Sequence, residues 1–156
     1  MNENIKELLI KFEGNKLKPY VCSGGKHTIG IGFNFDDNAL PEDIQNYLIT
    51  HGEITQEMSD RLLDDSIDDA ELMLINYIFP ALDWNNISTN RKHALISIMF
   101  NVGIGRFKGF KKMIAAINDG DWNKAADESI NSVRAKQVGD KPGQRAYIEA
   151  EMLRNG

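Results

Sequence analysis

The chain has 156 residues, 42% of them hydrophobic and 26% charged, with a formal net charge of −5 and a single cysteine. This is the composition of an ordinary globular protein with enough chain for a hydrophobic core. It excludes an internal disulfide and most cysteine-based metal sites, and no window approaches the roughly 18 uninterrupted apolar residues of a membrane span.

Charge is unevenly spread along the chain. Residues 1–55 carry 5 basic and 8 acidic groups, residues 56–85 carry 1 and 8, and residues 86–156 carry 12 and 7. The basic last part can meet an anionic partner, while the acidic front argues against nucleic acid. The start, Met1-Asn-Glu-Asn-Ile-Lys-Glu, has no basic region followed by an apolar stretch, so no secretory signal is expected.

Ile5, Leu8, Leu9 and Phe12 recur at helical spacing and predict an amphipathic helix over 3–13, stopped by Gly14. Residues 17–35 change character. Leu17, Tyr20 and Val21, then Ser23-Gly-Gly25, then Thr28, Ile29, Ile31 and Phe33 read as two strands joined by a turn. Residues 36–53 are polar, with a turn or two of helix expected around Pro41–Ile49.

From there the pattern is helical. Thr55 can cap a long helix over about 56–79, with Met58, Leu62, Leu63, Ile67, Leu72, Ile75 and Phe79 as its buried stripe and Pro80 as its stop. A second helix begins after Ser88-Thr89, is apolar nearly all round through Ala94–Phe100, and closes at Gly103 and Gly105. Shorter helices are expected at about 107–118, 122–135 and 143–154. The expected class is α+β: a small front lobe with a hairpin sheet, a connecting helix and a helical rear lobe.

Glu13 ends the first helix, and the hairpin that follows carries Cys22 and Thr28. A carboxylic acid in a partly apolar cleft can protonate a leaving oxygen, and a second group across the bond can activate water, which together make a glycosidase. On residue types alone Glu13 also reads as a helix-terminal surface acid, Cys22 as a small buried hydrophobe and Thr28 as a plain strand residue. His27, His51 and His93 have no metal-ligand spacing, and Gly30-Ile-Gly32 lacks the strand-then-helix setting of a dinucleotide site.

Glu13, then eight residues, Cys22, then five residues, Thr28, together with Gly25 and Ile29-Gly-Ile-Gly32, resembles the active-site signature of the phage-type lysozymes, glycoside hydrolase family 24. There the middle residue is usually Asp. Arg91–Leu95 with Phe100-Asn101-Val-Gly103 resembles the family's central helix, and Gly109-Phe110, Trp122–Ala126 and Pro142–Ala146 follow as its later landmarks in order. The resemblance covers nearly the whole chain, least clearly over 34–53.

The resemblance implies a single lysozyme-like domain, with lobes over about 13–55 and 80–156, a connecting helix over 56–79, and the N-terminal helix packed on the rear lobe. It implies a peptidoglycan hydrolase that cleaves the β-1,4 bond between N-acetylmuramic acid and N-acetylglucosamine, inverting, with no metal or cofactor. Glu13 would be the general acid, Thr28 would orient water, and Arg145 would reach the glutamate to hold its geometry. Phe100 and Asn101 would line the cleft floor, and Asn34, Met113 and Glu128 stand where relatives contact sugar.

Two departures matter. Phe33 stands where relatives often carry His, which removes a buried charge pair. Cys22 replaces the Asp, and a thiol of ordinary pKa near about 8.5 would weaken activity or move it to higher pH. A monomeric endolysin is expected, made in the cytoplasm without a signal, with no stable membrane association, reaching the wall once the membrane is permeabilised. A virion-borne or effector lysozyme, or a non-catalytic glycan-binding module with a degenerate site, are the alternatives.

Overall fold

The computed structural model describes residues 4–156. By its internal contacts the described chain divides into two units, Asn4–Asp68 and Asp69–Gly156.

The first unit begins with helix α1, Ile5–Glu13. Asn4 caps it by accepting from the Lys6 N–H; residue 3 of the expected helix lies outside the described residues. Gly14, at φ 72°, ends the helix with its N–H on the Ile10 carbonyl. A three-stranded antiparallel sheet follows in the order β1 (Lys16–Val21), β2 (His27–Gly30), β3 (Phe33–Asn34).

The sequence reading expected two strands, with Thr28 through Phe33 in one. Gly30 and Gly32 divide that run, because both take positive φ (62° and 67°) and fold Phe33–Asn34 back onto β2. The β1–β2 register shifts between Lys16 and Tyr20, where Pro19 has no N–H to give the ladder.

Helix α2, Glu42–His51, is longer than the turn or two expected. Glu42 and Asp43 suit its N-terminus and Gly52 its left-handed end, but Ile49 is 75% exposed and blurs the apolar period. Ile29, Ile44, Ile54 and Leu62 form the core of this unit, with Leu17, Phe33, Phe35, Leu40, Leu48 and Met58 around them. Burying each such side chain contributes about 1.5–3 kcal/mol.

Helix α3, Gln56–Met73, starts as expected at Thr55, whose hydroxyl accepts from the Met58 N–H. It continues as a π-turn over Leu74–Ile78 before Pro80. The buried stripe includes Leu62, Leu63, Ile67, Ala70, Leu74 and Ile78, while Leu72 is 55% exposed, which corrects its expected burial. Leu72 stands two positions from Leu74 and therefore points away from the stripe.

In the second unit α4, Thr89–Phe107, is capped by Ser88 and buried continuously from Ala94 to Met99. It kinks at Gly103 (φ 74°, ψ 168°), but helical turns resume to Phe107, so Gly105 does not end it. Helices α5 (Lys111–Asn118), α6 (Trp122–Ile130), α7 (Val133–Val138) and α8 (Arg145–Asn155) complete the unit. The single helix expected over 122–135 is two, because Ser132 accepts from the Ala135 N–H and caps a new one. The class is α+β, as the sequence pattern implied.

Candidate active site

In the first unit Glu13, Tyr20, Cys22 and Thr28 come together around the hairpin. Glu13 is half-buried at the last residue of α1. Its carboxylate lies against Gly32: a Cβ built there would stand 2.9 Å from Glu13 Oε2 and 3.0 Å from its Cδ. Gly32 therefore serves the turn through its positive φ and leaves room for the acid. An alanine there would push the flexible glutamate aside rather than break the fold. We expect Gly32→Ala to cost roughly 1–2 kcal/mol through φ, and about 10²-fold in activity through the displaced acid. Melting temperature and turnover on one preparation check this, and unchanged turnover would show that Gly32 does not set the acid's position.

Thr28 sits in the central strand, directly opposite Tyr20 on β1 and Asn34 on β3, so the three share one face. It is 3% exposed, and its hydroxyl donates to the Lys26 carbonyl at 3.0 Å. Cys22 opens a β-turn in which the Gly25 N–H donates to the Cys22 carbonyl at 2.9 Å, and its own N–H donates to the Lys26 carbonyl at 2.9 Å. The thiol is partly exposed.

Hydrogen bonding from the Lys26 backbone, and then from the Thr28 side chain and the Gly24 backbone, holds the thiol below its ordinary pKa against the opposing effect of burial. This moderates the expected shift of activity to high pH. Burial, followed by the charges of Glu13 and Cys22, holds the Tyr20 phenol above its ordinary value, which places both groups within electrostatic range of that ring. Lys16 Nζ lies 4.4 Å over the Tyr20 ring.

Because folding favours the Cys22 thiolate, that contribution to stability is complete above the unfolded pKa and is lost as pH falls through the folded one. Alkylation by iodoacetamide should accordingly reach half its maximal rate below the pH of about 8.5 at which a free thiol does. A midpoint at or above that pH would remove the case for an activated thiol.

Asn34 is committed within its own loop. Its side-chain oxygen accepts from the Asp36 and Asp37 N–H groups (3.0 and 3.2 Å), and its amide donates to Asp37 at 2.9 Å. His27 binds Asp36 through its backbone N–H at 2.7 Å and its Nδ1 at 3.0 Å. Asn34 thus shapes the sheet's rim.

The remaining expected residues lie in the second unit. Phe100 is half-buried, Asn101 exposed and Glu128 half-buried. Met113 is 2% exposed and belongs to the core, so it offers a sugar almost no surface.

Arg145 is 7% exposed and belongs to a buried ionic cluster that the sequence reading did not foresee. Glu149, fully buried, accepts from Arg145 Nε at 3.1 Å, from the Ser97 hydroxyl at 2.7 Å and from Arg134 Nη2 at 3.0 Å, with a further bond from Arg134 Nη1. Arg145 Nη2 also donates to the Ser97 carbonyl at 3.1 Å. Arg134 Nε donates to the Asn101 side-chain oxygen at 2.9 Å, which fixes the orientation of that amide. The i, i+4 spacing of Arg145 and Glu149 was the one available signal for this cluster. Among the described residues no group of three or more His, Cys, Asp or Glu side chains could hold a metal.

A family model described as Phage lysozyme matches residues 10–145. The chain is 30% identical over 144 residues to "Probable T4-type lysozyme 2" of Dictyostelium discoideum, with 85% of each chain covered. It is 28% identical over 147 residues to "Endolysin" of Acyrthosiphon pisum secondary endosymbiont phage 1, covering 92% of this chain and 89% of that one. It is also 27% identical over 148 residues to "Pre-baseplate central spike protein Gp5" of Enterobacteria phage T4, where 88% of this chain spans 26% of the relative.

Proposed function

The chain belongs to the phage lysozyme family, and from that membership we propose that it is a muramidase, hydrolysing the β-1,4 bond between N-acetylmuramic acid and N-acetylglucosamine. As a lysozyme-type glycosidase its substrate is peptidoglycan. The observation that carries the finer reading is Glu13: a half-buried carboxylate at a helix end, seated against Gly32 and within electrostatic range of Tyr20, on a hairpin that also bears Cys22 and Thr28.

In this reading the Glu13 carboxylic acid gives its proton to the glycosidic oxygen as the anomeric C–O bond breaks. Water adds to the anomeric carbon from the opposite face, giving inversion, and loses its proton to the Cys22 thiolate. The Thr28 hydroxyl bonds to the thiol and orients the water. Glu13 then regains a proton, and Cys22 releases one, through solvent. Arg145 supports the acid. Phe100, Asn101 and Glu128 offer sugar contacts on the second unit, and Asn34 shapes the rim of the first unit's sheet.

The name of the phage relative supports a role as an endolysin that acts on the cell wall. No described helix is long and apolar enough to cross a membrane. Clearing of permeabilised Gram-negative cells tests the activity directly. A glycan-binding module would sediment with walls and leave the turbidity unchanged, and that result would overturn the enzymatic reading.

A further inference from the structure

In the turn from β2 into β3, Gly30 and Gly32 each lie against a polar side chain. A Cβ on Gly32 would stand 2.9 Å from Glu13 Oε2, and a Cβ on Gly30 would stand 2.8 Å from the Ser59 hydroxyl oxygen. Ser59 lies in the first turn of α3 and is fully buried, so its hydroxyl needs a partner within the protein. Asn15, two residues beyond the acid, supplies one: its side-chain oxygen accepts from Ser59 at 2.8 Å, across 44 positions of sequence.

The Asn15 amide makes a second bond to the same turn of α3. Its nitrogen donates to Gln56 Oε1 at 2.6 Å, and Gln56 Nε2 donates in turn to Asp60 at 2.9 Å. Gln56 and Ser59 are three residues apart, so they face the same way and grip one carboxamide between them. Asp60 sets the direction of this chain. A carboxylate only accepts, so it takes the Gln56 nitrogen and leaves the Gln56 oxygen for Asn15. Asn15 must then turn its nitrogen to Gln56 and its oxygen to Ser59, which makes the buried hydroxyl the donor.

These contacts close a circuit. From Glu13 the chain runs two residues to Asn15, and a hydrogen bond crosses to Ser59. Ser59 packs on Gly30, the turn runs two residues to Gly32, and Gly32 meets the Glu13 carboxylate. Resting on the muramidase reading, we infer that Asn15, clamped between Ser59 and Gln56, is a positioning residue that holds the Glu13 carboxyl group in place against the Gly30–Gly32 turn.

Gly14 is what makes the clamp matter. It joins the acid to Asn15 at φ 72° and ψ −177°, a conformation open essentially to glycine alone, whose backbone is the least restrained of any residue. Without the clamp the last turn of α1 can shift on that glycine. A misplacement of about 1 Å at the reacting atoms is enough to cost about 10²-fold in rate. None of the clamp's side chains is a sugar contact in this reading, so its loss acts on kcat rather than on KM.

The test measures kcat, KM and melting temperature for Ser59→Ala, Asn15→Ala and the double variant in the full-length chain. Each single change should lower kcat about tenfold and leave KM within about twofold. The double variant should lose no more than either alone, because both changes remove one link, whereas independent sites would multiply to about a hundredfold. Rescue separates positioning from packing. Asn15→Asp keeps an acceptor for Ser59 but cannot donate to Gln56, and it should also lose about tenfold. Adding Asp60→Asn lets the Gln56 amide reverse, donating to position 15 and accepting from position 60, and should return kcat to within about twofold of the parent.

An unchanged kcat in Asn15→Ala would overturn the inference. So would a double variant that loses the product of the two single effects, or a folded Asn15→Asp protein that Asp60→Asn does not restore. Asn15, Gln56 and Asp60 are exposed, so changes there leave the core intact. If Ser59→Ala does not fold, Gln56→Ala takes its place in the cycle. Hydrogen exchange at the Gly14 N–H, which donates to the Ile10 carbonyl at 2.8 Å, reads the clamp without turnover, and Asn15→Ala should speed it about fivefold or more. An inactive parent protein would count against the muramidase reading, whereas unchanged exchange at Gly14 would count against the clamp.

Discussion

Glu13→Gln lowers the rate of wall clearing by about 10²–10⁴-fold and leaves the melting temperature nearly unchanged. The amide keeps the shape of the carboxyl group and its place against Gly32, but it has no proton to give to the leaving oxygen. The measurement is turbidity clearing with the melting curve of the same preparation. Retention of more than about a tenth of the wild-type rate is far outside the range for loss of a general acid, and would assign the proton to another group.

The second large effect is on stability. Glu149→Ala removes the carboxylate that the buried Arg134 and Arg145 share in the second unit. Breaking a buried pair by deleting one partner costs about 3–5 kcal/mol, because a charge is left without compensation in a poorly polarisable interior. For a chain of this length each kcal/mol lowers the melting temperature by about 2–4 °C, so a drop of about 6–20 °C is expected. Glu149→Gln, which keeps hydrogen-bonding capacity, should fall between.

Loss of Arg134's anchor also frees the Asn101 amide, whose oxygen Arg134 holds at 2.9 Å. Residual folded Glu149→Ala should therefore show a raised KM as well as lowered stability. A melting temperature within about 2 °C of wild type would mean that solvent or another group already compensates these arginines.

Much of this architecture was legible because local chemistry and tertiary structure agree. Thr55 and Ser88 cap the helices they precede, Gly14 ends α1, and the run from Ala94 to Met99, apolar but for Ser97, is buried throughout. What escaped the sequence depends on backbone conformation or on distance along the chain. Ile31 and Phe33 continue a strand-like alternation, and only the left-handed conformations of Gly30 and Gly32 turn the chain between them. Ser132 could continue a helix or cap one, and the choice rests on a bond to Ala135 that residue type does not specify.

The site was legible as a spacing, Glu13 to Cys22 to Thr28, but its support was not. Gly32 looked like turn chemistry until the carboxylate appeared beside it. Arg134 and Glu149 are 15 residues apart on different helices, so their pairing has no local signature.

The most direct test of the central claim is the chemistry of the ends that digestion creates. Sacculi digested to completion, reduced with borohydride and analysed by mass spectrometry should yield muropeptides ending in N-acetylmuramitol, because hydrolysis of the muramic acid glycosidic bond leaves that sugar with a free reducing end. Products ending in reduced N-acetylglucosamine, or anhydro ends that borohydride does not reduce, would contradict it: the first would move the cleaved bond, and the second would replace Glu13-assisted attack by water with intramolecular transfer.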